Sequence, residues 1–220
     1  KNKKLESVKF SLSDTSKFTD KFLSYFFESV STLPLLSEMS LQFYKCNDGL
    51  KPKDIQLLFE GLSLFPSLKK LGITLIHINL TEELCDYLFA NLSKNKSLTS
   101  LEIVIYGKGI RSSKFLNMRF IDMCSELSNL EELELHINPF HLTEVDWLIN
   151  GLLQLKRLRE FTLYSQTFYG TKEMFKIKKL LKGIKQLKQL RRLKLSKMFD
   201  KNHKPALNYY RKYFESFDIE

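Results

Sequence analysis

One pattern of apolar residues recurs seven times along the 220-residue chain. It is an apolar residue, two variable residues, a second apolar residue, one variable residue and a third apolar residue. The alternation at its end has the period of two that is typical of a strand with one buried face. Because the spacing is only 28 to 32 residues, it indicates a repeat architecture. The seven patterns start at Leu5, Leu36, Leu68, Leu98, Leu130, Leu158 and Leu190.

Apolar residues also recur at fixed distances before each start. In the second repeat these residues are Ile55, Leu58, Phe59 and Leu62. Spacings of three and four residues place them on one face of an α-helix. Equivalent columns precede the later starts, and only Asn95 and Asn117 interrupt them. Each repeat is therefore predicted to contain a short strand, a loop, an amphipathic helix and a turn.

One such unit cannot bury its own apolar face, but stacked units share a continuous core. The pattern resembles the leucine-rich-repeat family, and its period and helices are most similar to the ribonuclease-inhibitor-like class. The resemblance extends roughly from Leu5 to Leu195. It implies an α/β solenoid of about seven strand-plus-helix units, with a curved parallel sheet on the concave side and helices on the convex side. It implies little about function, because one fold hosts many unrelated binding roles.

The sequence departs from the family in its loops and at its ends. Family members usually carry Asn or Cys three residues after the last apolar strand position, and here only Asn138 does so. We therefore expect a divergent solenoid over residues 1–197. Residues 198–220 are aromatic-rich after Pro205, which predicts a C-terminal capping helix. Residue 1 is not Met and no cap precedes the first repeat, so we expect the chain to be part of a longer protein.

The formal net charge of +10 comes from one segment. Residues 172–197 contain 11 basic residues and one acidic residue, and the rest of the chain has 24 of each. A basic sector attracts acidic partners such as nucleic-acid phosphates, acidic protein surfaces or anionic lipids. A solvated lysine-rich helix face gives the same pattern. The predicted surface for an acidic partner consists of Lys176, Lys178, Lys179, Lys182, Lys185, Arg192 and Lys194.

Aromatic residues precede this basic sector. Proteins that bind single-stranded nucleic acids often combine exposed aromatic side chains with basic ones, because bases stack on the rings. The aromatic residues in question are Tyr164, Phe168, Tyr169 and Phe175.

The variable positions of the predicted strands should project into the concave face. In repeats four to six these positions are rich in glutamate. Such a surface would repel phosphates and would suit a basic peptide or a basic protein surface. A polar strand face is also what any solvated sheet needs. The predicted protein-binding surface consists of Glu102, Glu132, Glu134, His136, Glu160 and Tyr164.

The sequence offers no pattern for catalysis, cofactor binding or metal binding. It has no glycine-rich phosphate loop, and Gly61, Gly151 and Gly183 share one helix column, where small residues suit tight packing. The four histidines do not combine with Cys or carboxylates at the spacing of metal ligands. We therefore expect a protein that is not an enzyme and that has no catalytic residue, cofactor or metal.

Cysteine usage and hydropathy bear on the compartment. Three cysteines are too few, and odd in number, for a disulfide framework, which favours a reducing environment. No apolar run approaches the ~18 residues of a membrane span. We expect an intracellular protein, cytoplasmic rather than secreted.

Two functions of different classes fit these observations. The first is a non-catalytic protein–protein interaction module or scaffold subunit of a larger assembly. The alternative is a nucleic-acid-associated, ribonucleoprotein subunit that docks through the basic sector. Binding to phosphates weakens steeply with salt, whereas a mixed protein interface responds less. A third interpretation is an enzyme regulator without catalysis of its own, for which the loop residue Arg111 is the one to test.

Overall fold

The computed structural model describes residues 4–13, 20–45, 51–78, 80–106, 116–138, 145–165, 174–196 and 216–219. Within these ranges strands and helices alternate, as the repeat pattern predicts. The helices are α1 (Asp20–Ser31), α2 (Pro52–Leu62), α3 (Glu82–Leu92), α4 (Met118–Glu126), α5 (Val145–Leu152) and α6 (Met174–Ile184). The strands are β1 (Ser7–Ser13), β2 (Glu38–Tyr44), β3 (Lys70–Ile76), β4 (Ser100–Tyr106), β5 (Glu132–Asn138), β6 (Glu160–Tyr164), β7 (Arg192–Ser196) and β8 (Ser216–Ile219). Arg111 lies outside the described residues.

The eight described strands form one parallel sheet in their order along the chain. Equivalent repeat positions lie opposite each other without a shift, so that Leu71 pairs with Met39 on one side and with Leu101 on the other. The strands line the concave side, and the helices cover the convex side. The predicted α/β leucine-rich-repeat solenoid is confirmed.

The core lies between the sheet and the helices and runs through the repeats as one cluster. The strand starts Leu68, Leu98, Leu130 and Leu158 are fully buried, as are most members of the helix columns. Burying a large apolar side chain contributes roughly 1.5–3 kcal/mol, so these columns supply the main stabilisation of the stack. The largest side chains without solvent contact include Phe43, Phe59, Phe89, Phe120 and Phe161.

The two asparagines that interrupt the apolar columns have different roles. Asn117 is the N-cap of α4, where its side-chain oxygen accepts hydrogen bonds from the backbone N–H groups of Arg119 and Phe120. Asn95 is fully buried. Its amide donates to the carbonyl of Asn91 at 3.3 Å, while its side-chain oxygen has no partner among the described residues. A buried polar atom without a partner costs about 1–3 kcal/mol.

The turns from helix to strand repeat one arrangement of backbone hydrogen bonds. The carbonyl of Glu6 accepts from the N–H groups of Ser37 and Glu38 at 2.9 and 3.0 Å. Each later turn bonds in the same way to the turn before it, so the ladder joins neighbouring repeats outside the sheet. The equivalent acceptors in the later turns are the carbonyls of Ser37, Lys69, Thr99, Glu131 and Arg159.

The loops after β2 and β3 extend the ladder at the other end of the strands. Lys45 and His77 occupy equivalent positions there and adopt left-handed backbone conformations, with φ of 52° and 55°. Their N–H groups donate to the carbonyls of Ile76 and Tyr106 in the following repeat. These two loops therefore bond their backbone groups without the Asn or Cys that the family usually carries.

The C-terminal end differs from the prediction. A helix over residues 198–220 is wrong for Ser216–Ile219, which form β8. This strand pairs in parallel with β7, with Phe217 opposite Leu193 and Ile219 opposite Leu195. The alternation of apolar and polar residues has the period of a strand and continues the sheet beyond residue 197. The rest of the predicted capping helix lies outside the described residues and stays a prediction.

The helices of this solenoid are short. The longest in the described ranges, α1, has 12 residues, and no helix in those ranges is long and apolar enough to cross a membrane.

Candidate functional site

Side chains on the concave face form four rows across the strands, because the parallel strands are in register. We number the rows from the amino-terminal ends of the strands. The first row contains Ser7, Glu38, Lys70, Ser100, Glu132, Glu160 and Arg192, and the second contains Lys9, Ser40, Gly72, Glu102, Glu134, Thr162 and Lys194. The third contains Ser11, Gln42, Thr74, Val104, His136 and Tyr164, and the fourth contains Ser13, Tyr44, Ile76 and Tyr106.

Charge and apolar character are separated between these rows. The first two rows hold the charged side chains, and the third and fourth hold the aromatic and aliphatic ones. Val104 is only 9% exposed even though it faces the concave side. In β4, β5 and β6 the rings of Tyr106, His136 and Tyr164 therefore lie beside the charged rows, whereas the third row of β1 to β3 is polar.

Ion pairs across the first row reduce the predicted acidic surface. Glu160 lies 3.0 Å from Arg192, which was predicted to belong to the opposite, basic surface. Glu38 is paired in the same way with Lys70 at 3.1 Å. The negative charge that remains in the middle of the sheet comes from Glu102, Glu132 and Glu134.

The structure brings four of the predicted residues together with Tyr106. The ring of His136 stacks on that of Tyr164, with 5.1 Å between the centroids and 13° between the planes. Tyr106 meets Tyr164 edge-on at 6.1 Å. We call Glu102, Tyr106, Glu134, His136 and Tyr164 the aromatic–carboxylate cluster. All of its members except Glu102 are partly buried.

The two carboxylates of the cluster have pKa values shifted in opposite directions. The imidazole of His136 hydrogen-bonds Glu134 at 2.5 Å, and this bond holds the pKa of Glu134 below its usual value, with help from the charges of His136 and Lys194 and against the effect of burial. Although Glu102 as a whole is exposed, partial desolvation of its carboxyl group and then the neighbouring charge of Glu134 raise its pKa. His136 and Lys9 oppose that rise.

The hydroxyl of Tyr106 has a raised pKa. Burial raises the pKa of Tyr106, and the charge of Tyr164 and its hydrogen bond with Tyr106 raise it further. The hydrogen bond also fixes the two rings relative to each other. The cluster therefore presents negative charge from the carboxylates beside firmly held rings.

Within the described residues, one group has donor atoms that could meet at a single cation. It consists of Glu102, Glu134 and His136, whose donor atoms lie within 4.8 Å of one another. Carboxylates and imidazole are common ligands of zinc and other divalent metals. However, Glu134 and His136 already bond each other, and the group is open to water. The geometry of these three residues is therefore compatible with a bound cation, but it does not identify the group as a metal site.

A shallow cavity of about 240 Å³ adjoins Glu102 on the side of the first repeats. It exists because Gly72 has no side chain: a Cβ atom there would lie 3.1 Å from a carboxylate oxygen of Glu102. Glu102 thus lies between this cavity and the aromatic rings. Other residues that line the cavity include Ser7, Glu38, Ser40, Lys70 and Ser100.

The predicted basic surface is divided between the two sides of the solenoid. Lys178, Lys179 and Lys182 are exposed on α6, which belongs to the convex layer, and Lys185 is exposed in the turn directly after it. Lys179 is paired with Asp146 of α5 at 2.7 Å. Lys176 lies in α6, but its side chain is outside the described residues.

The remaining members of the basic surface, Arg192 and Lys194, lie on the concave side. Tyr164 also faces that side, so it does not alternate with the lysines of α6. Phe168 and Tyr169 lie outside the described residues, as does the side chain of Phe175.

The sequence-based prediction did not place Tyr106 on the concave face, and it omitted the rest of the fourth row. The predicted strands stopped one residue after the third apolar position. In the structure each of the strands β1 to β5 contains one further residue that packs into the core. In the sequence this residue is one more apolar step of the same alternation. Those residues are Leu12, Phe43, Leu75, Ile105 and Ile137.

Comparisons with known proteins add little beyond the fold. No protein-family model matches this sequence, and no curated protein sequence is similar to it. Among solved structures, the chain is similar to the C-terminal domain of tropomodulin from Caenorhabditis elegans, with 18% sequence identity and a TM-score of 0.47. The match covers 71% of this chain and 85% of that one. Similarity at this level carries no inference about function.

Proposed function

We propose that this chain is a non-catalytic protein-interaction module that binds its partner on the concave face, over the aromatic–carboxylate cluster. The observation that carries this proposal is the arrangement of Tyr106, Tyr164 and His136 beside two carboxylates in the middle of an open sheet. Tyrosines that are fixed before binding lose little conformational entropy in an interface, and they are common among its energetically dominant residues. The paired charges at the edge of the face would form a polar rim.

The geometry of the cluster supports a binding role over a catalytic one. General acid–base catalysis needs groups in a cleft that excludes water and positions a substrate. Glu102 and Glu134 instead lie on an open sheet, and Glu102 is exposed. Their opposite pKa shifts follow from the hydrogen bond of His136 to Glu134, which lowers the pKa of Glu134, and from desolvation and then repulsion by Glu134, which raise the pKa of Glu102.

We further infer that the repeats belong to the ribonuclease-inhibitor-like class, because every described helix has at least two turns and the repeat period is 28 to 32 residues. An intracellular scaffold subunit is the setting that suits such a module. Cys85 and Cys124 are buried and belong to no disulfide, which fits a reducing compartment.

The alternative function is docking to a nucleic acid through α6. Exposed Lys178, Lys182 and Lys185 favour it, because clustered lysines attract phosphates. Two observations weigh against it: Lys179 is engaged by Asp146, and Tyr164 faces the other side of the solenoid. A phosphate-dominated complex would lose affinity steeply with salt, at a log–log slope close to the number of phosphates contacted.

A matched set of variants tests the proposal. The concave double variant Tyr106→Ala/Tyr164→Ala is compared with the convex double variant Tyr25→Ala/Tyr87→Ala, whose tyrosines are exposed on α1 and α3. Both remove two tyrosines, so the overall composition is the same. The readout is quantitative capture of partners from source cells, with and without nuclease.

We expect the concave variant to lose its protein partners and the convex variant to keep them, irrespective of nuclease. A third variant, Lys178→Glu/Lys182→Glu/Lys185→Glu, tests the alternative. If partners disappear with nuclease and in this third variant, but remain in the concave one, the proposal is wrong and docking to a nucleic acid is supported.

A further inference from the structure

We propose that the aromatic–carboxylate cluster is a binding pocket for one arginine side chain of the partner protein. This inference rests on the proposed function and specifies the chemistry of the segment that binds. It starts from the charge at the centre of the second row. Glu102 and Glu134 face each other in register on adjacent strands, and of the two Glu134 is bonded by His136. Glu38 and Glu160, in contrast, each pair with a lysine or arginine across the sheet. The central carboxylates therefore attract a cation that comes with the partner.

The two lysines whose charges act on these carboxylates lie on distant strands, so there is space beside the carboxylates for a cation of the partner. In the second row, Lys9 lies three strands from Glu102, and Lys194 lies two strands from Glu134. Lys9 lowers the pKa of Glu102 through its charge, and Lys194 lowers that of Glu134. Neither lysine stands between the two carboxylates. A cation between the carboxylates would relieve the repulsion that raises the pKa of Glu102.

The shape of the cluster favours a guanidinium over an ammonium group. A guanidinium is planar and carries five N–H donors, so it can bond two carboxylates through its edge while its face lies on a ring. The stacked rings of His136 and Tyr164 supply a flat wall next to the carboxylates. Arginine commonly stacks on aromatic faces in this way. A lysine ammonium is a point charge and would use the carboxylates alone.

The surroundings also suit the aliphatic part of the arginine side chain. Val104 provides an apolar floor between Glu102 and Tyr106 on the same strand. The cavity at Gly72 lies on the other side of Glu102, and Ser40 and Ser100 are among the residues that line it. A peptide backbone could therefore cross above Gly72 and extend one side chain into the cluster. Phosphate groups are disfavoured there because they would meet two carboxylates.

The test uses small probes on the complete chain, in the presence of EDTA so that no metal competes. N-acetyl-arginine-N-methylamide is titrated and followed by NMR through the signals of His136, Tyr106 and Tyr164. The lysine analogue tests the shape of the cation, and the citrulline analogue has nearly the shape of arginine without its charge. We expect the arginine probe to saturate with a Kd of about 1 mM. Citrulline should bind at least about tenfold more weakly, and lysine several-fold more weakly.

Variants locate the pocket. Glu102→Gln and Glu134→Gln should each weaken the arginine probe about tenfold, since a hydrogen bond to a charged group is lost. Tyr164→Leu should weaken it about threefold, because His136 loses the ring on which it stacks and its own face is then held less firmly beside the carboxylates. The matched control is Glu28→Gln, an exposed glutamate of α1 in the convex layer, which should change Kd less than twofold. Unchanged backbone spectra verify that each variant is folded.

The results distinguish this inference from the proposed function. Equal binding of citrulline, equal or tighter binding of lysine, or no effect of the two cluster glutamates overturns the arginine pocket. If the partner is lost in Tyr106→Ala/Tyr164→Ala but binds normally to Glu102→Gln and Glu134→Gln, only the arginine pocket fails. If the probe binds as expected but the partner survives the concave variant, only the proposed function fails.

Discussion

Glycines on the two sides of the solenoid show how differently these sides are specified. In the helical layer, Gly151 of α5 makes room for Phe120, since a Cβ atom would come within 2.3 Å of the buried ring. On the concave face, Gly72 has as its nearest neighbour the flexible end of Glu102, at 3.1 Å. The helical layer is therefore specified by side-chain volume, and the concave face by charge and ring placement. Substitutions in the first should change stability, and substitutions in the second should change binding.

The largest difference is expected between two aromatic truncations. Phe89→Ala removes a fully buried ring that packs edge-on against Phe120 at 5.6 Å. It should lower the free energy of unfolding by about 3–5 kcal/mol. Tyr164→Ala, on the concave face, should lower it by only about 1 kcal/mol, the usual contribution of an aromatic pair. Urea unfolding followed by circular dichroism measures both, and equal losses would contradict the division between the two sides.

A smaller effect is expected from adding one methyl group on each side. Gly151→Ala gains about 1 kcal/mol of helix propensity but forces overlap with Phe120, which costs about 1–3 kcal/mol. We expect a net loss near 1 kcal/mol in urea unfolding. Gly72→Ala should stay within about 0.5 kcal/mol, because Glu102 can move into solvent.

A second substitution verifies the cause of the Gly151→Ala loss. Phe120→Leu shortens the opposing side chain, so the combined variant should lose less than the sum of the two single losses. Additive losses would show that the overlap with Phe120 is not the cause.

The helical layer could be predicted because volume and burial repeat with a fixed period. Leu58, Leu88 and Leu148 recur at the same offset before a strand, and each packs against equivalent residues of its neighbours. The same periodicity explains why the two exceptions are informative. Asn117 caps a helix, and Asn95 is buried with one atom unpaired; neither role follows from an apolar column.

The concave face was predictable only in part, because its contacts join residues about 30 positions apart. The sequence placed Glu102, Glu134 and His136 on one face through strand alternation. The sequence did not predict the ion pair between Arg192 and Glu160, because that pair depends on how far the side chains reach across neighbouring strands. It also omitted Tyr106, since the strands are longer than the three-position pattern. The C-terminal strand was missed because aromatic residues after Pro205 fit a helix and a strand equally well.

The two glutamates of the cluster should respond to pH with opposite signs. Glu134 has a lowered pKa, so it stabilises the fold above its usual value of 4.5, and this stability is lost as pH falls through the folded pKa. Glu102 has a raised pKa, so the stability that it contributes is present in acid and is lost as pH rises from 4.5 through the folded pKa. At neutral pH, Glu134→Gln should destabilise and Glu102→Gln should stabilise.

Both effects should be at most about 0.5 kcal/mol, because solvent screens partly exposed charges. Urea unfolding at a series of pH values measures them as differences from the unaltered protein, and both differences should shrink in acid. The relevant facing charges are His136 and Lys194 for Glu134, and Glu134, His136 and Lys9 for Glu102. Differences of the same sign at neutral pH would contradict the opposite shifts.

The last comparison concerns two ion pairs that join neighbouring repeats on opposite sides. Lys179 and Asp146 bridge α6 and α5 with side chains 46% and 59% exposed, and Arg192 and Glu160 bridge β7 and β6. Exposed pairs contribute about 0.2–1 kcal/mol, so double-mutant cycles with alanine should give coupling energies in that range on both sides, falling with salt. A coupling well above 1 kcal/mol for Lys179 would make it a structural residue and remove it from any surface for an acidic partner. A small coupling leaves its charge available, because a partner could then displace Asp146 at little cost to the fold.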